Sequence, residues 1–210
     1  TETVNGNECR FIRTKERGLS RSRNMAMSNA AEDIVILCDN DVRYTDTAAE
    51  DIETAFMRNP DAGIIVFFIE RPERHEPVYD HEKKMDHMHM MKIFSPEIAI
   101  RRSFTGGLGF DTDFGAGAKY SMGEENIFLF EAARRGIRII YEPVKIASLI
   151  PNESSWFRGY GQKFFSDRGA GYYAMSEKWW LLLSLQFLIR KRKLYSRDIS
   201  MTEAWKCMCS

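Results

Sequence analysis

The stretch DIVILCDNDV, residues 33–42, decides the fold of this chain. Its run of apolar residues, β-branched at the start, predicts a strand that is buried on both faces, as at the centre of a parallel sheet. Asp39 and Asp41 then follow at its carboxyl end, the edge where open α/β sheets bind ligands. If the extended backbone continues through them, both carboxylates lie on one side and can hold one Mg²⁺ or Mn²⁺ ion, and through it a diphosphate. Asp111 and Asp113 repeat the spacing, but no buried strand precedes them.

The composition limits the class of the protein. With 210 residues and a formal net charge of zero, the chain fits one domain, or one domain with an appendage, and indicates no nucleic-acid binding. Its four cysteines match neither a disulfide framework nor a zinc spacing, so we expect a reduced, cytoplasmic compartment. No apolar run approaches the ~20 residues of a membrane-spanning helix, and we expect no signal peptide at the start of the chain. Because the first residue is Thr1, we expect a longer protein that was processed, cut or incompletely represented.

Helices and strands alternate around the opening stretch. The hydrophobic periodicity predicts further strands at residues 8–14, 63–69, 95–102 and 137–141, and helices at 20–31, 46–58 and 123–135. The helix that precedes the opening strand carries Arg21 and Arg23 in its first turn, with Arg17 just before it. These arginines either lie at the ligand edge of the sheet, where a helix N-terminus favours anions, or form a solvated basic face.

A polar stretch, residues 70–92, contains all four histidines of the chain. Clustered histidines suggest a metal site, but His87 and His89 lack the i, i+4 spacing of a helical zinc pair. A surface loop over a site is the interpretation we favour.

Residues 179–193 combine an apolar body, two tryptophans at its start and the basic run RKRK at its end. A helix that lies in the headgroup region of a membrane has this composition. A helix that packs on the domain fits it nearly as well.

Several motifs, in order, resemble the family 2 glycosyltransferases of the GT-A fold. They are Gly18–Asn24 for the family's G-x-S-x-A-R-N with Ser22 in place of Ala, Asp39–Asp41 for D-x-D, Phe110–Gly115 for F-D-x-x-F-G, Gly123–Glu125 for G-E-D, and Arg134–Pro143 for R-x-G-x-x-I-x-Y-x-P. The resemblance implies a GT-A, Rossmann-like mixed, mainly parallel sheet flanked by helices. We expect this domain at residues 1–152, N-terminally truncated, and a helical C-terminal extension at 153–210.

The resemblance also implies roles for individual residues. Asp39 and Asp41 would bind Mn²⁺ or Mg²⁺ and, through it, the diphosphate of a UDP- or GDP-sugar donor. Glu125 would be the catalytic base that takes the proton of an acceptor hydroxyl, and such a base needs a pKa below the working pH. The remaining assignments are donor binding by Arg17, Arg23 and Asn24, and acceptor binding by Glu124 and Trp156, with the roles of Glu124 and Glu125 open to exchange.

Two features depart from the family pattern. Only seventeen residues precede Gly18, where the family has two strands and two helices that hold the nucleoside base, so we expect an open sheet edge there. Some relatives place a histidine after the tyrosine-proline strand as a further metal ligand, whereas this chain has Leu149, Ile150 and Pro151.

Three functional hypotheses follow. The first is a metal-dependent, inverting transferase of hexosyl or related groups that acts on a glycan or lipid-linked acceptor in bacterial surface polysaccharide synthesis, at the inner face of the plasma membrane. The second is a truncated, catalytically silent fragment that serves as a binding or assembly module. The third is an unrelated Mg²⁺-dependent phosphohydrolase, for which the further carboxylates of a two-metal site are missing.

Overall fold

The computed structural model of the chain describes residues 2–4, 6–150, 157 and 159–210. Its strands are β1 (Glu2–Val4), β2 (Asn7–Cys9), β3 (Ile34–Ile36), β4 (Val42–Tyr44), β5 (Ala62–Glu70), β6 (Lys83–Lys84), β7 (Ile98–Arg101) and β8 (Arg138–Leu149). Its helices are α1 (Leu19–Asn29), α2 (Ala48–Arg58), α3 (His87–Met90), α4 (Arg102–Thr105), α5 (Glu124–Arg134), α6 (Gln162–Met175), α7 (Trp180–Arg190), α8 (Arg192–Tyr195) and α9 (Met201–Met208). A 3-10 turn, Ser95–Glu97, precedes β7.

One mixed sheet forms the centre of the domain. Its strand order is β3-β7-β5-β8-β4, and β6 also pairs with β8. The predicted mixed α/β fold with flanking helices is confirmed, but the parallel share is smaller than predicted. Only β5 and β8 run parallel among the described strand pairs of the sheet, because β7 is antiparallel to both β3 and β5, and β4 and β6 are antiparallel to β8.

The strand in the opening stretch lies at an edge of this sheet. β3 has three residues, all partly buried, and it pairs with β7 on one side, with Val35 opposite Ile100. The prediction of a central strand buried on both faces is therefore wrong, whereas an open edge was expected at this end of the sheet. The extended backbone also ends early, since Asn40 and Asp41 form a turn. The period-two argument consequently does not fix the directions of the two carboxylates.

The long strand β5 explains how the core is built. Eight of its nine residues are buried, and alternate side chains enter two apolar clusters on opposite faces of the sheet. Ile64 and Val66 face the cluster that includes residues of α5 and the C-terminal helices. Ile65 and Phe67 face the cluster that contains the apolar stripe of α2. The strand thus holds both helical layers in place.

The two ends of the chain form smaller units. β1 and β2 make an antiparallel hairpin outside the main sheet, so the strand predicted at 8–14 is confined to its first two residues. At the other end, α6 to α9 pack together and α6 also packs on α5. The hydroxyl of Tyr195 donates to the carbonyl of Leu188 at 2.7 Å inside this group. The predicted boundary between residues 152 and 153 lies outside the described residues and stays a prediction.

Candidate active site

Arg23 joins two of the acids that the sequence separates widely. Its Nη1 donates to Oε1 of Glu124 at 3.0 Å, and its Nη2 donates to Oδ1 of Asp39 at 3.4 Å. The Arg23 and Glu124 side chains are only 9% and 8% exposed, whereas that of Asp39 is 40% exposed. The contacts therefore connect the start of α1, the turn after β3 and the start of α5.

The glycine-rich turn at 106–117 fixes the start of α1. The side chain of Asn24 donates to the carbonyl of Phe110 at 2.8 Å and accepts from its N–H at 2.7 Å. The hydroxyl of Ser20 donates to the carbonyl of Phe114 at 2.7 Å. Gly115 has a φ of 104°, and a Cβ there would lie 3.2 Å from the carboxyl carbon of Glu124. Only glycine suits this position, because the backbone there is left-handed and the Glu124 side chain approaches it closely.

The first turn of α5 presents two adjacent glutamates. It begins after Gly123, whose φ is 93°, and the preceding loop is held by Asp167, which accepts from the N–H and the hydroxyl of Ser121 at 3.0 and 2.7 Å. Glu125 is partly buried. Burial raises its pKa to about 8, and the negative charge of Glu124 adds to the rise. At neutral pH the carboxyl group is thus protonated before any ligand enters, whereas a base needs a pKa below the working pH.

A cavity of about 260 Å³ brings most of these groups together. Four predicted site residues line it: Arg23, Asp39, Glu124 and Glu125. A second space, a groove of about 550 Å³ between α1 and β3, shares Leu19, Arg23 and Asp39 with the cavity. We call the first the glutamate cavity and the second the α1–β3 groove.

The other predicted site residues lie elsewhere. Arg17 is exposed and lines neither space. Both polar groups of the Asn24 amide contact Phe110, as described above. Asp41 lies in the turn before β4, where its carbonyl accepts from the N–H of Ile150 at 2.7 Å. Trp156 lies outside the described residues, so its role stays a prediction.

Three further charged residues of the glutamate cavity were missed by the sequence reasoning: Lys92, Asp167 and Arg168. Lys92 follows the histidine-rich stretch, and the other two lie on α6. No motif marks them, because α6 reaches the cavity only through its packing on α5.

Asp39 and Asp41 offer oxygen ligands from one turn, which is the ligand chemistry that Mg²⁺ and Mn²⁺ prefer. No three His, Cys, Asp or Glu side chains form a metal cluster within the described ranges. Such a cluster is not required, since Mg²⁺ is commonly held by one or two carboxylates together with substrate phosphates and water. The donor set therefore fits a hard cation, and the zinc alternative at the histidines gains no support. His89 is hydrogen bonded through Nδ1 to Oδ2 of Asp86 at 2.7 Å.

Two solved structures share this fold at low sequence identity. Residues 1–349 of TarS from S. aureus, in complex with UDP-GlcNAc, match with a TM-score of 0.63 and 14% identity, over 91% of this chain and 60% of that one. A mannosyltransferase from Pyrobaculum calidifontis, in complex with GDP-Man and Mn²⁺, matches with a TM-score of 0.50 and 16% identity, over 93% of this chain and 54% of that one. This chain thus spans little more than half the length of either structure.

Sequence comparison identifies the family independently. No curated protein matches this chain, but the family model described as glycosyl transferase family 2 matches residues 2–125. That range covers more than half of the 210 residues and contains Arg23, Asp39, Glu124 and Glu125. The chain therefore belongs to glycosyl transferase family 2, and its fold is of the GT-A type.

Proposed function

We propose that this chain transfers a sugar from a nucleoside diphosphate donor to an acceptor hydroxyl, with inversion at the anomeric carbon. The observation that carries the proposal is the pair of contacts from Arg23 to Asp39 and Glu124, which place the D-x-D turn beside the glutamates of α5. The acceptor is a glycan or lipid-linked molecule, and the cellular role is in bacterial surface polysaccharide synthesis. The donor is a UDP- or GDP-sugar, by analogy with the ligands of the two similar structures.

Glu125 is the base in this proposal. In its ionised form it accepts the proton of the acceptor hydroxyl, whose oxygen then attacks the anomeric carbon opposite the departing diphosphate. Glu124 is the poorer candidate, because Arg23 already engages its buried carboxylate. The positive charge of Arg23 also favours the ionised form of Glu125. Glu124 therefore orients groups around the acceptor.

The donor end comprises Arg23, Asp39 and Asp41, with Arg17 and Asn24 as the remaining predicted contacts. When bound at Asp39 and Asp41, Mn²⁺ or Mg²⁺ supplies positive charge for the leaving diphosphate. The α1–β3 groove is the space we assign to the nucleoside, since it adjoins both Arg23 and Asp39. The 40% exposed Asp39 side chain is accessible from solvent.

Nucleotide release and sugar transfer from a panel of UDP- and GDP-sugars, with Mn²⁺, Mg²⁺ or EDTA, test the proposal. We expect Asp39→Asn and Glu125→Gln to lower turnover by at least a hundredfold, since a general base alone contributes roughly 10²- to 10⁴-fold. Glu131→Gln is the matched control, because Glu131 lies on the same helix but pairs with Arg134 and Arg135 outside the cavity. Undiminished turnover in both site variants would reject the assignment.

The open edge of β3 supports a second candidate, a catalytically silent module that binds nucleotide or assembles with a partner. β3 has no strand on its outer side within the described residues. Calorimetry with nucleoside diphosphate and Mn²⁺ separates the candidates: binding without turnover of any donor supports the module, and binding with turnover supports the transferase.

We also propose that α7 contacts the inner face of the plasma membrane. Leu181, Leu182, Leu185 and Ile189 are 43–60% exposed on one side of this helix, and the basic residues 190–193 that follow are exposed. None of the helices in the described part of the chain has the length and apolar character needed to cross a bilayer. An exposed apolar face next to basic side chains fits a helix that lies in the headgroup region of an anionic membrane.

Sedimentation with vesicles that contain phosphatidylserine tests this contact. Replacing residues 190–193 by serine should weaken vesicle binding by about 1 kcal/mol per removed charge. Equal binding by the parent and this variant would contradict the proposal.

A further inference from the structure

Arg168 projects a cation into the glutamate cavity without an acid to pair with. It lies on α6 and lines the cavity together with Glu124 and Glu125. Its buried Nε has no hydrogen-bond partner in the described part of the chain, and its guanidinium forms no ion pair with any described residue. A partly buried arginine without a carboxylate partner is unusual, because burial of an unpaired charge is unfavourable.

Three aromatic rings hold this guanidinium in place. Its Cζ lies 4.8 Å from the ring centre of Phe187, 5.1 Å from that of Phe164 and 5.9 Å from that of Tyr172. Such contacts stabilise the cation through the faces of the rings. No described residue accepts a hydrogen bond from its Nη groups, and two such donors can bind a carboxylate or phosphate in a bidentate manner.

Three cations and four acids line the cavity, Arg23, Lys92 and Arg168 against Asp39, Glu124, Glu125 and Asp167, but two of the cations have no ion-pair partner among the described residues. Arg23 is paired with Glu124 and Asp39, and Asp167 is paired with Lys163 at 2.5 Å. Lys92 also lines the cavity, is exposed, and has no acidic partner among the described residues. Lys92 and Arg168 are thus available to an anion that enters from solvent.

There is also space for such a ligand next to Arg168. Gly171 lies three residues further along α6 and lines the same cavity, and a Cβ built on it would meet no atom within 4 Å. Gly171 therefore leaves open space in the wall of the cavity about one helical turn from Arg168.

The position of Arg168 separates it from the donor end. Arg23 and Asp39 line both the α1–β3 groove and the glutamate cavity, whereas Arg168 and Lys92 line the cavity alone. If the nucleoside occupies the groove, Arg168 and the base Glu125 both line the space that the groove does not share.

We propose that Arg168, assisted by Lys92, binds an anionic group of the acceptor. The acceptor class is accordingly a phosphate- or carboxylate-bearing polyol, sugar or glycan rather than a neutral one. This inference rests on the proposed function, since it takes Glu125 as the base and the α1–β3 groove as the donor site.

Titration of the full chain with small probes, followed by ligand-observed NMR, tests the inference without turnover. The probes are glycerol 3-phosphate, glucuronic acid and, as the neutral control, glucose. We expect the parent to bind one or both anions and Arg168→Gln to weaken that binding by roughly 10- to 100-fold, the range of a charge-assisted hydrogen-bonded contact. Which anion binds more tightly separates a phosphate from a carboxylate acceptor.

Matched variants separate anion binding from folding. Arg197→Gln removes an exposed cation that does not line the cavity, and it should change probe affinity less than about twofold. Arg168→Lys should bind the anionic probes more tightly than Arg168→Gln does, because it keeps the positive charge. Arg168→Met keeps apolar contact with the rings but has no charge, so it should bind the probes as weakly as Arg168→Gln. Melting temperatures of all variants show whether the fold persists.

Binding of UDP and GDP with Mn²⁺ identifies the site that the anion occupies. We expect Arg168→Gln to leave nucleotide affinity within about twofold of the parent, because the residue does not line the α1–β3 groove. A parallel loss of nucleotide affinity would assign Arg168 to the donor and overturn the inference, as would equal anion binding by parent and Arg168→Gln, or no anion binding by the parent. The proposed function fails by a different result, the absence of turnover with every donor.

Discussion

Replacing Arg23 by methionine removes the cation between two acids while keeping an unbranched apolar stem. The Glu124 carboxylate, on a side chain that is 8% exposed, then loses its ion-pair partner at 3.0 Å. Breaking one side of a buried pair destabilises a protein by about 3–5 kcal/mol. Loss of the half-exposed Asp39 contact adds less than about 1 kcal/mol.

The Arg23→Met variant therefore leaves the buried Glu124 carboxylate without its partner. We expect it to lose about 3 kcal/mol of unfolding free energy at pH 7.

Urea denaturation at pH 7, followed by circular dichroism, measures this effect. The double variant Arg23→Met with Glu124→Gln should recover most of the loss, because no unpaired charge remains. Arg21→Met, an exposed position on the same helix, should change stability by less than about 0.5 kcal/mol. A loss below about 1 kcal/mol at pH 7 would refute the reasoning.

Three further outcomes are expected. Glu125, which lines the cavity with Glu124, Arg23, Lys92 and Arg168, keeps its proton up to about pH 8 in the folded state. The parent should therefore lose stability between about pH 4.5 and 8, whereas Glu125→Gln should not. The kcat/KM of the parent should rise with pH, with an apparent pKa near 8. Gly169→Ala should destabilise by more than about 2 kcal/mol, since its Cβ would lie 2.1 Å from the carbonyl oxygen of Met208. Asn24→Ala should cost about 1–3 kcal/mol, because both main-chain groups of the buried Phe110 lose their partner.

Controls for these outcomes use neighbouring positions. Gly171→Ala should be neutral or stabilising, because open space surrounds its Cβ, and equal destabilisation at Gly169 and Gly171 would contradict the packing of α6 on α9. Ser28→Ala removes one exposed hydrogen bond on α1 and should cost far less than Asn24→Ala. A pH-independent difference between the parent and Glu125→Gln would contradict the raised pKa.

Sequence patterns predicted the element types better than the sheet position of β3. Its apolar residues indicate burial, but the two core clusters supply part of that burial, and no strand of the described residues lies on the outer side. Local periodicity does not distinguish these two sources. The nine-residue β5, in contrast, is surrounded by strands and helices, so an apolar run there matched the structure.

The candidate site shows the same division between local and long-range information. Motif resemblance led to Arg23, Asp39 and Glu124, which meet across as many as 101 residues. It did not indicate that the Asn24 amide would be engaged by Phe110. Arg168 was missed altogether, because its environment is created by the packing of α6 against α5 and α7.

The anomeric configuration of the product tests the central claim most directly. Sugar transfer from a UDP- or GDP-sugar with a defined anomer can be followed by NMR for the parent, Glu125→Gln and Glu131→Gln. We expect an inverted product from the parent and from Glu131→Gln, and at least a hundredfold slower formation with Glu125→Gln. A product with retained configuration, or an unchanged rate in Glu125→Gln, would contradict the role of Glu125 as the base.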